Sequence, residues 1–287
     1  MNHVILSNGI SMPQLGFGVF QIPAGHTRQA VLDAIQAGYR LIDTAQSYMN
    51  EREVGEAIAQ CGLDRRQLFV TTKVWISNYG YEACRTSVLH SLEIMGLDYL
   101  DLVLLHQPFA DYYGAWRALE ELYKEGKIRA IGVSNFPADR LADLQAFNEI
   151  SPMVNQVECN PFYQNVKAQE EMTKHHVQME AWAPFGEGRK DMFTNPVLRQ
   201  IAEAHGKSIA QVILRWLMQR NIVAVCKSVH IERMKENIDV FDFSLTDQEM
   251  QAIAGLNEKE SLFFDHQDPA TVDFMKGLIE QRKNRLQ

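Results

Sequence analysis

Short apolar runs recur along the chain, and amphipathic segments separate them. Several of these runs are almost continuously apolar, which is typical of strands that are buried on both faces. The runs predict eight strands, at residues 16–20, 39–45, 68–74, 100–106, 128–135, 153–159, 178–184 and 222–228. Helical patterns lie between them, at residues 28–37, 51–60, 79–95, 114–125, 137–147, 165–175 and 208–220. This alternation predicts an α/β fold with a parallel sheet.

The number of repeats favours one parallel architecture over the other. Eight strand–helix units without a linker or a break in composition favour a closed (β/α)8 TIM barrel over an open doubly wound sheet. We expect one domain over residues 1–287, because α/β barrels commonly occupy about 250 residues. An N-terminal β-hairpin should turn at Asn8-Gly9 and cover the bottom of the barrel.

Residue types at helix ends add detail to this prediction. Two extra helices are expected, one over residues 194–205 and one starting at Thr246, which forms a capping-box pattern with Glu249. Thr27 should be the N-cap of the first helix, and Gly38 should end it. Pro137 stands in the first turn of its helix, where the missing N–H costs nothing.

Charge and composition exclude several classes of partner. The chain has 28 Lys+Arg against 36 Asp+Glu, a net charge of −8, so nothing attracts it as a whole to nucleic acid or anionic membranes. It has no run near the ~20 apolar residues that span a bilayer, and its start lacks a secretory-signal pattern. The four cysteines are scattered, without metal or redox spacing. We expect a cytoplasmic monomer with no nucleic-acid, membrane or metal partner.

Polar residues close most of the predicted strands, and the active sites of barrels lie at those ends. Asp43, Lys73 and His106 end three successive strands, and Tyr48 follows Asp43 closely enough to return over the same mouth. The other strand ends carry further polar or aromatic groups, namely Ser134, Asn135, Gln156, Glu158, Trp182 and Lys227.

The first four of these residues can together reduce a carbonyl group. A tyrosine has an ordinary pKa near 10, and the Lys73 ammonium should lower the pKa of Tyr48. Asp43 should keep Lys73 charged and oriented, while His106 donates a hydrogen bond to a carbonyl oxygen beside Tyr48. A proton donor and a polarising donor aimed at one oxygen suit the reduction of an aldehyde or ketone to an alcohol.

Longer motifs around these residues carry a specific resemblance. Gly38–Ala45 with Tyr48, Thr71–Trp75 around Lys73, Asp101–His106 and Gly126–Phe136 are similar to signature segments of the aldo-keto reductase family. The likeness covers nearly the whole chain and includes bacterial members similar to 2,5-diketo-D-gluconate and methylglyoxal reductases. It implies the same catalytic set, with Ser134, Asn135 and Gln156 on the nicotinamide amide and Trp182 stacked on its ring.

The reaction needs a hydride from a cofactor, yet no G-x-G-x-x-G fingerprint follows a strand. The best anion site begins at Lys227 and Ser228, which lead into a helix whose N-terminus can bind phosphate. The family resemblance implies that Lys227, Ser228 and Arg233 hold the 2′-phosphate and that Glu236 and Asn237 contact the adenine. NADPH, with its product NADP+, is therefore the expected cofactor.

The substrate pocket departs from the family pattern at Gln107, where many relatives carry a tryptophan. Phe20, Trp75 and His106, together with residues 262–265, are expected to line this pocket beside Gln107. Cys226 stands where a proline often precedes the Lys-Ser pair. The loops after the fourth and seventh barrel strands are predicted to be short, which indicates an open pocket for small, polar carbonyl compounds.

Two other functions fit the same fold. Lys73 at a strand end could form a Schiff base in an aldolase, although a nearby Asp43 should keep the lysine charged. A non-catalytic NADPH-binding regulatory subunit is the second alternative, against which the intact catalytic set argues.

Overall fold

The computed structural model describes residues 2–286, and the side chains of residues 2–281. Eight parallel strands form a closed barrel, and an antiparallel pair precedes them. Each barrel strand coincides with one of the predicted runs, with β3 beginning one residue earlier, so the (β/α)8 prediction is confirmed. The strands are β1 (His3–Ile5), β2 (Ser11–Pro13), β3 (Leu15–Gly18), β4 (Leu41–Asp43), β5 (Phe69–Val74), β6 (Leu100–Leu105), β7 (Ile128–Ser134), β8 (Val154–Glu158), β9 (Gln178–Trp182) and β10 (Val223–Cys226).

Helices follow the barrel strands and surround the sheet. They are α1 (Ala24–Ala37), α2 (Glu51–Gln60), α3 (Tyr81–Met95), α4 (Tyr112–Lys124), α5 (Ala138–Ala146), α6 (Val166–Lys174), α7 (Pro196–His205), α8 (Ile209–Gln219), α9 (Ile231–Ile238), α10 (Asp247–Ala254) and α11 (Pro269–Leu286). Short 3₁₀ segments lie at Gln46–Tyr48, Arg65–Gln67, Ile76–Asn78 and Gly186–Thr194. None of the helices in the described part of the chain has the length and apolar character needed to cross a membrane.

The start of α1 differs from the sequence prediction, whereas its end agrees. The helix begins at Ala24 with Pro23 as its N-cap, so Thr27 lies inside the first turns and is not the cap. The Thr27 hydroxyl is buried and donates to the Ile22 and Pro23 carbonyls. At the other end, Gly38 adopts φ 113°, a left-handed conformation that only glycine takes without strain.

The N-terminal hairpin lies at the end of the barrel where the strands begin. β1 pairs with β2 around the predicted Asn8-Gly9 turn, and Gly9 has φ 84°. The Asn8 side chain donates to the carbonyl of Arg129, at the start of β7, and Gln14 Nε2 donates to the Met218 carbonyl. Because this end is covered, the carboxyl ends of the strands form the accessible mouth.

Both predicted extra helices are present. α7 starts after Asn195, whose side chain accepts the N–H groups of Val197 and Leu198. α10 starts after Thr246, where the predicted capping box with Glu249 forms. A non-helical stretch over residues 255–268 separates α10 from α11 and lies across one side of the mouth, where Phe263 and Phe264 line the central cavity.

Candidate active site

The four residues proposed for catalysis meet at the carboxyl ends of β4, β5 and β6. Lys73 Nζ donates to Asp43 Oδ1 at 2.5 Å and lies 3.3 Å from the Tyr48 hydroxyl oxygen. The Tyr48 and His106 rings meet edge-on, with centroids 5.8 Å apart. Asp43 and Lys73 are buried, and the Tyr48 hydroxyl faces them from a half-buried ring. These groups therefore form one connected constellation.

Local structure explains how Tyr48 reaches this mouth. The chain leaves β4 at Asp43 and forms the 3₁₀ turn Gln46–Tyr48, which ends at Met49 in the left-handed region with φ 60°. The turn is fastened by Gln46, whose Oε1 accepts the backbone N–H of Trp75 at 3.0 Å. Because Trp75 directly follows β5, this bond ties the tyrosine-bearing turn to the strand that carries Lys73.

The lysine is held in its charged form. Burial alone would lower the pKa of Lys73, but the charges of Asp43 and Tyr48 and the bond to Asp43 outweigh burial and raise the pKa above its usual value. The Thr44 carbonyl accepts a second bond from Lys73 Nζ at 3.1 Å. The ammonium is thus oriented by two acceptors and faces the tyrosine.

The tyrosine departs from the sequence prediction. Burial raises the pKa of Tyr48, and the opposing effect of Lys73 does not reverse this, so the predicted net lowering is wrong. The sequence shows the neighbouring ammonium, but it does not show how strongly desolvation disfavours a phenolate at the bottom of this mouth. At neutral pH the residue is therefore a protonated phenol and not a phenolate.

A further carboxyl lies inside the barrel and was not predicted. Glu180, at the centre of β9, is fully buried, and burial together with the charge of Asp43 raises its pKa to about 8. Its charge also acts on Lys73 and Tyr48. One signal could have revealed it, because Glu180 is the only charged residue in the apolar run 178–184.

Gln156 connects the catalytic residues to the opposite side of the barrel. Its Nε2 donates to Asp43 Oδ2 at 2.9 Å, so both oxygens of Asp43 accept a hydrogen bond. Gln156 ends one hydrogen-bonded chain that runs across the mouth from Tyr48 through Lys73 and Asp43. The amide thus fixes the carboxylate from the side opposite the lysine.

A second polar group surrounds Trp182 at the end of β9. The Trp182 indole N–H donates to Asn135 Oδ1 at 2.8 Å, and Asn135 Nδ2 donates to the His106 carbonyl at 3.1 Å. Asn135 has φ 65°, a left-handed conformation that asparagine tolerates. The Ser134 hydroxyl donates to the Gln156 carbonyl at 2.8 Å. Ser134, Asn135, Gln156 and Trp182 thus form a polar floor with one flat aromatic face.

A cavity of about 800 Å³ lies over the catalytic residues and over the polar floor. The residues that line it include every catalytic candidate except Lys73, which is fully buried. They also include all four substrate-pocket candidates, namely Phe20, Trp75, His106 and Gln107. From the predicted stretch 262–265, Phe263 and Phe264 line the cavity. The ring centroids of Phe20 and Tyr48 are 5.0 Å apart, and those of Trp75 and His106 are 5.2 Å apart. The rim is therefore largely aromatic.

The rim differs from the sequence prediction in the length of one loop and in one contact. The connection after β9 runs from residue 183 to residue 195 before α7, so the short loop expected there is wrong, whereas the connection after β6 is short. Gln107 Oε1 lies 2.9 Å from His266 Nε2, in the stretch that follows α10. Burial lowers the pKa of His266 to about 4, so its ring is neutral at physiological pH and donates to the Gln107 oxygen.

The stretch after α10 is attached to the barrel through Glu158. This buried carboxylate, at the end of β8, accepts the Ser261 hydroxyl at 2.5 Å and the Leu262 N–H at 3.0 Å. Arg189, in the loop after β9, stacks over the Phe263 ring at 4.1 Å, and Phe263 in turn packs edge-on against Trp182. The rim is therefore joined to the polar floor.

The proposed phosphate site lies at the edge of this cavity and beyond it. Lys227 is exposed and lines the cavity, while Ser228, Arg233, Glu236 and Asn237 lie beyond it. The Ser228 hydroxyl bonds to the backbone of His230, the N-cap of α9, and Asn237 Nδ2 lies 3.9 Å from Cys226 Sγ. Among the described side chains, Lys227 and Arg233 take part in none of the ion pairs.

The two ends of the cavity match the two ends of a phosphorylated dinucleotide. Trp182 offers a flat face beside amide groups, which suits an aromatic ring that carries a carboxamide. Lys227 and Arg233 offer charges without a carboxylate partner in the described part of the chain, near the N-terminus of α9, which suits a phosphate. The residues present therefore fit NADP(H).

Comparisons with known proteins agree with this arrangement. The sequence profile of the Aldo/keto reductase family matches residues 14–258. A morphine 6-dehydrogenase from Pseudomonas putida is 45% identical over 93% of this chain and 94% of its own length. A glyoxal reductase from Bacillus subtilis (strain 168) is 48% identical over 90% of this chain and 93% of its own length.

A solved structure of a family member also matches this chain. The crystal structure of an aldo-keto reductase from Bombyx mori in complex with NADP superposes with a TM-score of 0.86 at 33% identity. The match covers 92% of this chain and 95% of that one.

Proposed function

Because this chain belongs to the aldo/keto reductase family, we propose that it reduces an aldehyde or ketone with Tyr48 as the proton donor. The chain is an oxidoreductase, and its cofactor is NADP(H). The observation that carries the assignment of roles is the hydrogen-bonded series Tyr48–Lys73–Asp43 at the bottom of an aromatic-walled cavity.

Proton transfer comes from the Tyr48 hydroxyl. Its raised pKa keeps the phenol protonated at neutral pH, and Lys73 at 3.3 Å stabilises the negative charge that develops on the phenol oxygen when the proton leaves. Asp43, which accepts from both Lys73 and Gln156, holds the ammonium in place. The lysine and the aspartate thus act by lowering the cost of releasing one proton.

His106 and the aromatic rim position the substrate. The His106 ring stands edge-on to Tyr48, so a carbonyl oxygen between them receives the Tyr48 proton and a second hydrogen bond. Phe20, Trp75 and Gln107 surround that position and exclude water from it. Gln107, fixed by His266, presents the polar group in this wall.

The remaining length of the cavity and the segment beyond it carry the residues that would hold the cofactor. When bound, NADPH would supply a hydride for the carbonyl carbon. Ser134, Asn135 and Gln156 would hold the carboxamide, and Trp182 would cover the ring. Lys227, Ser228 and Arg233 would hold the 2′-phosphate, and Glu236 and Asn237 would contact the adenine. These roles rest on the family resemblance and on Lys227 and Arg233, which take part in none of the ion pairs among the described side chains.

The aldolase alternative is disfavoured by the charge state of Lys73. A Schiff base needs a neutral amine, whereas the pKa of Lys73 is raised and its nitrogen is already bonded to Asp43 and Thr44. The regulatory alternative predicts tight NADPH binding without turnover, and turnover separates it from the reductase.

The proposal is tested by following NADPH consumption with methylglyoxal, a nitrobenzaldehyde, a sugar aldehyde and a diketo acid. We expect turnover with at least one of them. Tyr48→Phe should lower kcat by roughly 10²–10⁴-fold while NADPH still binds, because only the transferred proton is removed. Wild-type turnover in a folded Tyr48→Phe protein would refute the role of Tyr48, and binding without turnover of any substrate would favour the regulatory alternative.

A further inference from the structure

We propose that Glu180 is a positioning residue for this reaction, whose buried negative charge beside the Asp43–Lys73 pair keeps Tyr48 in its protonated form. The inference rests on the proposed function, in which Tyr48 is the proton donor. It assigns a task to a buried carboxyl that the reaction as described above does not use.

The fold places Glu180 in the same layer of the barrel as the catalytic pair. Glu180 lies opposite Gln156 in the register of β8 and β9, and Gln156 donates to Asp43. On its other flank it lies beside β10, whose four residues carry no charged side chain. The charged and titratable groups that face Glu180 are therefore Asp43, Lys73 and Tyr48.

The surroundings of Glu180 are unusual for a carboxyl group. The side chain is fully buried, and neither of its oxygens accepts a hydrogen bond from the described protein atoms. Gln156, whose Nε2 donates to Asp43 Oδ2, is also near enough to Glu180 to favour its charged form. A buried carboxylate with so few donors is costly, so burial favours the protonated acid.

The net charge of the buried groups indicates how Glu180 affects Tyr48. With Glu180 protonated, Asp43 and Lys73 form a neutral pair. When Glu180 loses its proton, one negative charge remains inside the barrel, and it disfavours a second one on Tyr48. The two protons therefore leave one after the other, and the Glu180 proton leaves first. The loss of this first proton leaves the donor intact.

The sign of the effect follows directly. In the wild type, raising the pH ionises Glu180 and thereby raises the pKa of Tyr48, so reduction continues to a higher pH. In Glu180→Gln no anion forms at this position, so Tyr48 should lose its proton at a lower pH than in the wild type. The reverse oxidation, which needs the phenolate, should begin at a correspondingly lower pH.

The first experiment measures the carboxyl itself in the cofactor-free protein. Glutamate labelled with ¹³C at the δ carbon gives a signal for Glu180, which is identified by its absence in Glu180→Gln. We expect this signal to titrate at about pH 8, far above an ordinary glutamate. An ordinary titration below pH ~5 would overturn the order of proton loss given above, because Glu180 would then be ionised at every pH of the reaction.

The second experiment measures Tyr48. Tyrosine labelled with ¹³C at the ζ carbon is assigned with Tyr48→Phe, and its titration is compared between the wild type and Glu180→Gln. The proposal requires a lower midpoint in the variant, and an unchanged Tyr48 signal over the accessible range contradicts it. Glu180→Met removes the same charge and replaces the glutamine variant if that protein does not fold.

Glu51→Gln is the matched control. Glu51 is also buried with a raised pKa, but its Oε1 accepts the Thr72 hydroxyl at 2.6 Å, and its charged neighbour is His90 and not the catalytic group. It should leave the Tyr48 titration unchanged. A uniform loss of activity at every pH in Glu180→Gln, with no change in the profile, would indicate a structural role and refute the inference.

The two proposals fail in different ways. Absence of NADPH-dependent turnover would refute the proposed function while leaving both titrations measurable. Normal turnover with independent titration of Glu180 and Tyr48 would refute the role of Glu180 alone.

Discussion

The two ends of the cavity handle charge in opposite ways. At the catalytic end, Lys73 is fully buried, and its hydrogen bonds to Asp43 and Thr44 are complete without any ligand. At the phosphate end, Lys227 and Arg233 are exposed and take part in none of the ion pairs among the described side chains. One end has its charges paired within the protein, and the other presents cations that no described carboxylate pairs.

This difference separates two tasks. Catalysis needs groups held within a fraction of an ångström, which burial and a closed hydrogen-bond network provide. Binding an anion needs charge that is still available when the anion arrives, and an internal ion pair would reduce that. Substitutions at the two ends should therefore produce different readouts, stability and kcat at one end and cofactor affinity at the other.

The largest effect is expected from Lys73→Met. Removing the lysine leaves the Asp43 carboxylate buried without its ionic partner, which should reduce the free energy of unfolding by about 3–5 kcal/mol. Denaturant unfolding measures this loss, and kcat should fall as well, by roughly 10²-fold or more. In the double variant Asp43→Asn/Lys73→Met most of the stability should return, but the activity should not. A Lys73→Met protein as stable as the wild type would contradict the idea that the catalytic end depends on its buried ion pair.

A smaller effect, of another kind, is expected from Arg233→Ala. The side chain is exposed, so the free energy of unfolding should change by less than about 0.5 kcal/mol. The KM for NADPH should rise by roughly tenfold, and the KM for NADH should not, because only the first has a 2′-phosphate. The wild-type preference should weaken with added salt. Lys235→Ala, an exposed cation on the same helix, is the control, and an equal loss in both variants would argue against a specific role for Arg233.

The smallest effect is expected at the rim, between the two ends. The pKa of His266 is lowered from 6.5 to about 4, so the unfolded chain binds a proton more readily than the folded one between these values. The buried neutral ring therefore does not reduce the free energy of unfolding above pH 6.5. As the pH falls from 6.5 toward 4, protonation of the unfolded chain reduces this free energy. His266→Gln keeps a donor for Gln107 and should reduce the loss of stability between pH 7 and 5.5 by about 1 kcal/mol. Parallel pH curves for both proteins would show that His266 does not contribute.

The strands and the four catalytic candidates could be predicted from the sequence because both depend on local pattern. Apolar runs mark strands buried on both faces, and a barrel brings every strand end to one mouth, so Asp43, Lys73 and His106 needed no knowledge of distant contacts. The same reasoning located the hairpin turn and the Thr246 capping box.

The remaining features depend on contacts between distant segments. The bond between Gln107 and His266 joins residues 159 positions apart, and no local pattern indicates it. The raised pKa of Tyr48 depends on burial by the folded rim, so the ammonium nearby gave the wrong net direction. Thr27 has the residue type of an N-cap, but α1 begins one turn earlier, with Pro23 as its N-cap, and the Thr27 hydroxyl donates to the Ile22 and Pro23 carbonyls instead.

The attachment of the rim has a consequence for how such enzymes diversify. The stretch that carries Phe263, Phe264 and His266 is joined to the barrel at Glu158, at Trp182 and at Gln107. These contacts do not involve the buried Asp43–Lys73 pair. Exchanges of side chains between these contacts should therefore alter which molecules fit the cavity and leave the proposed catalytic pair unchanged.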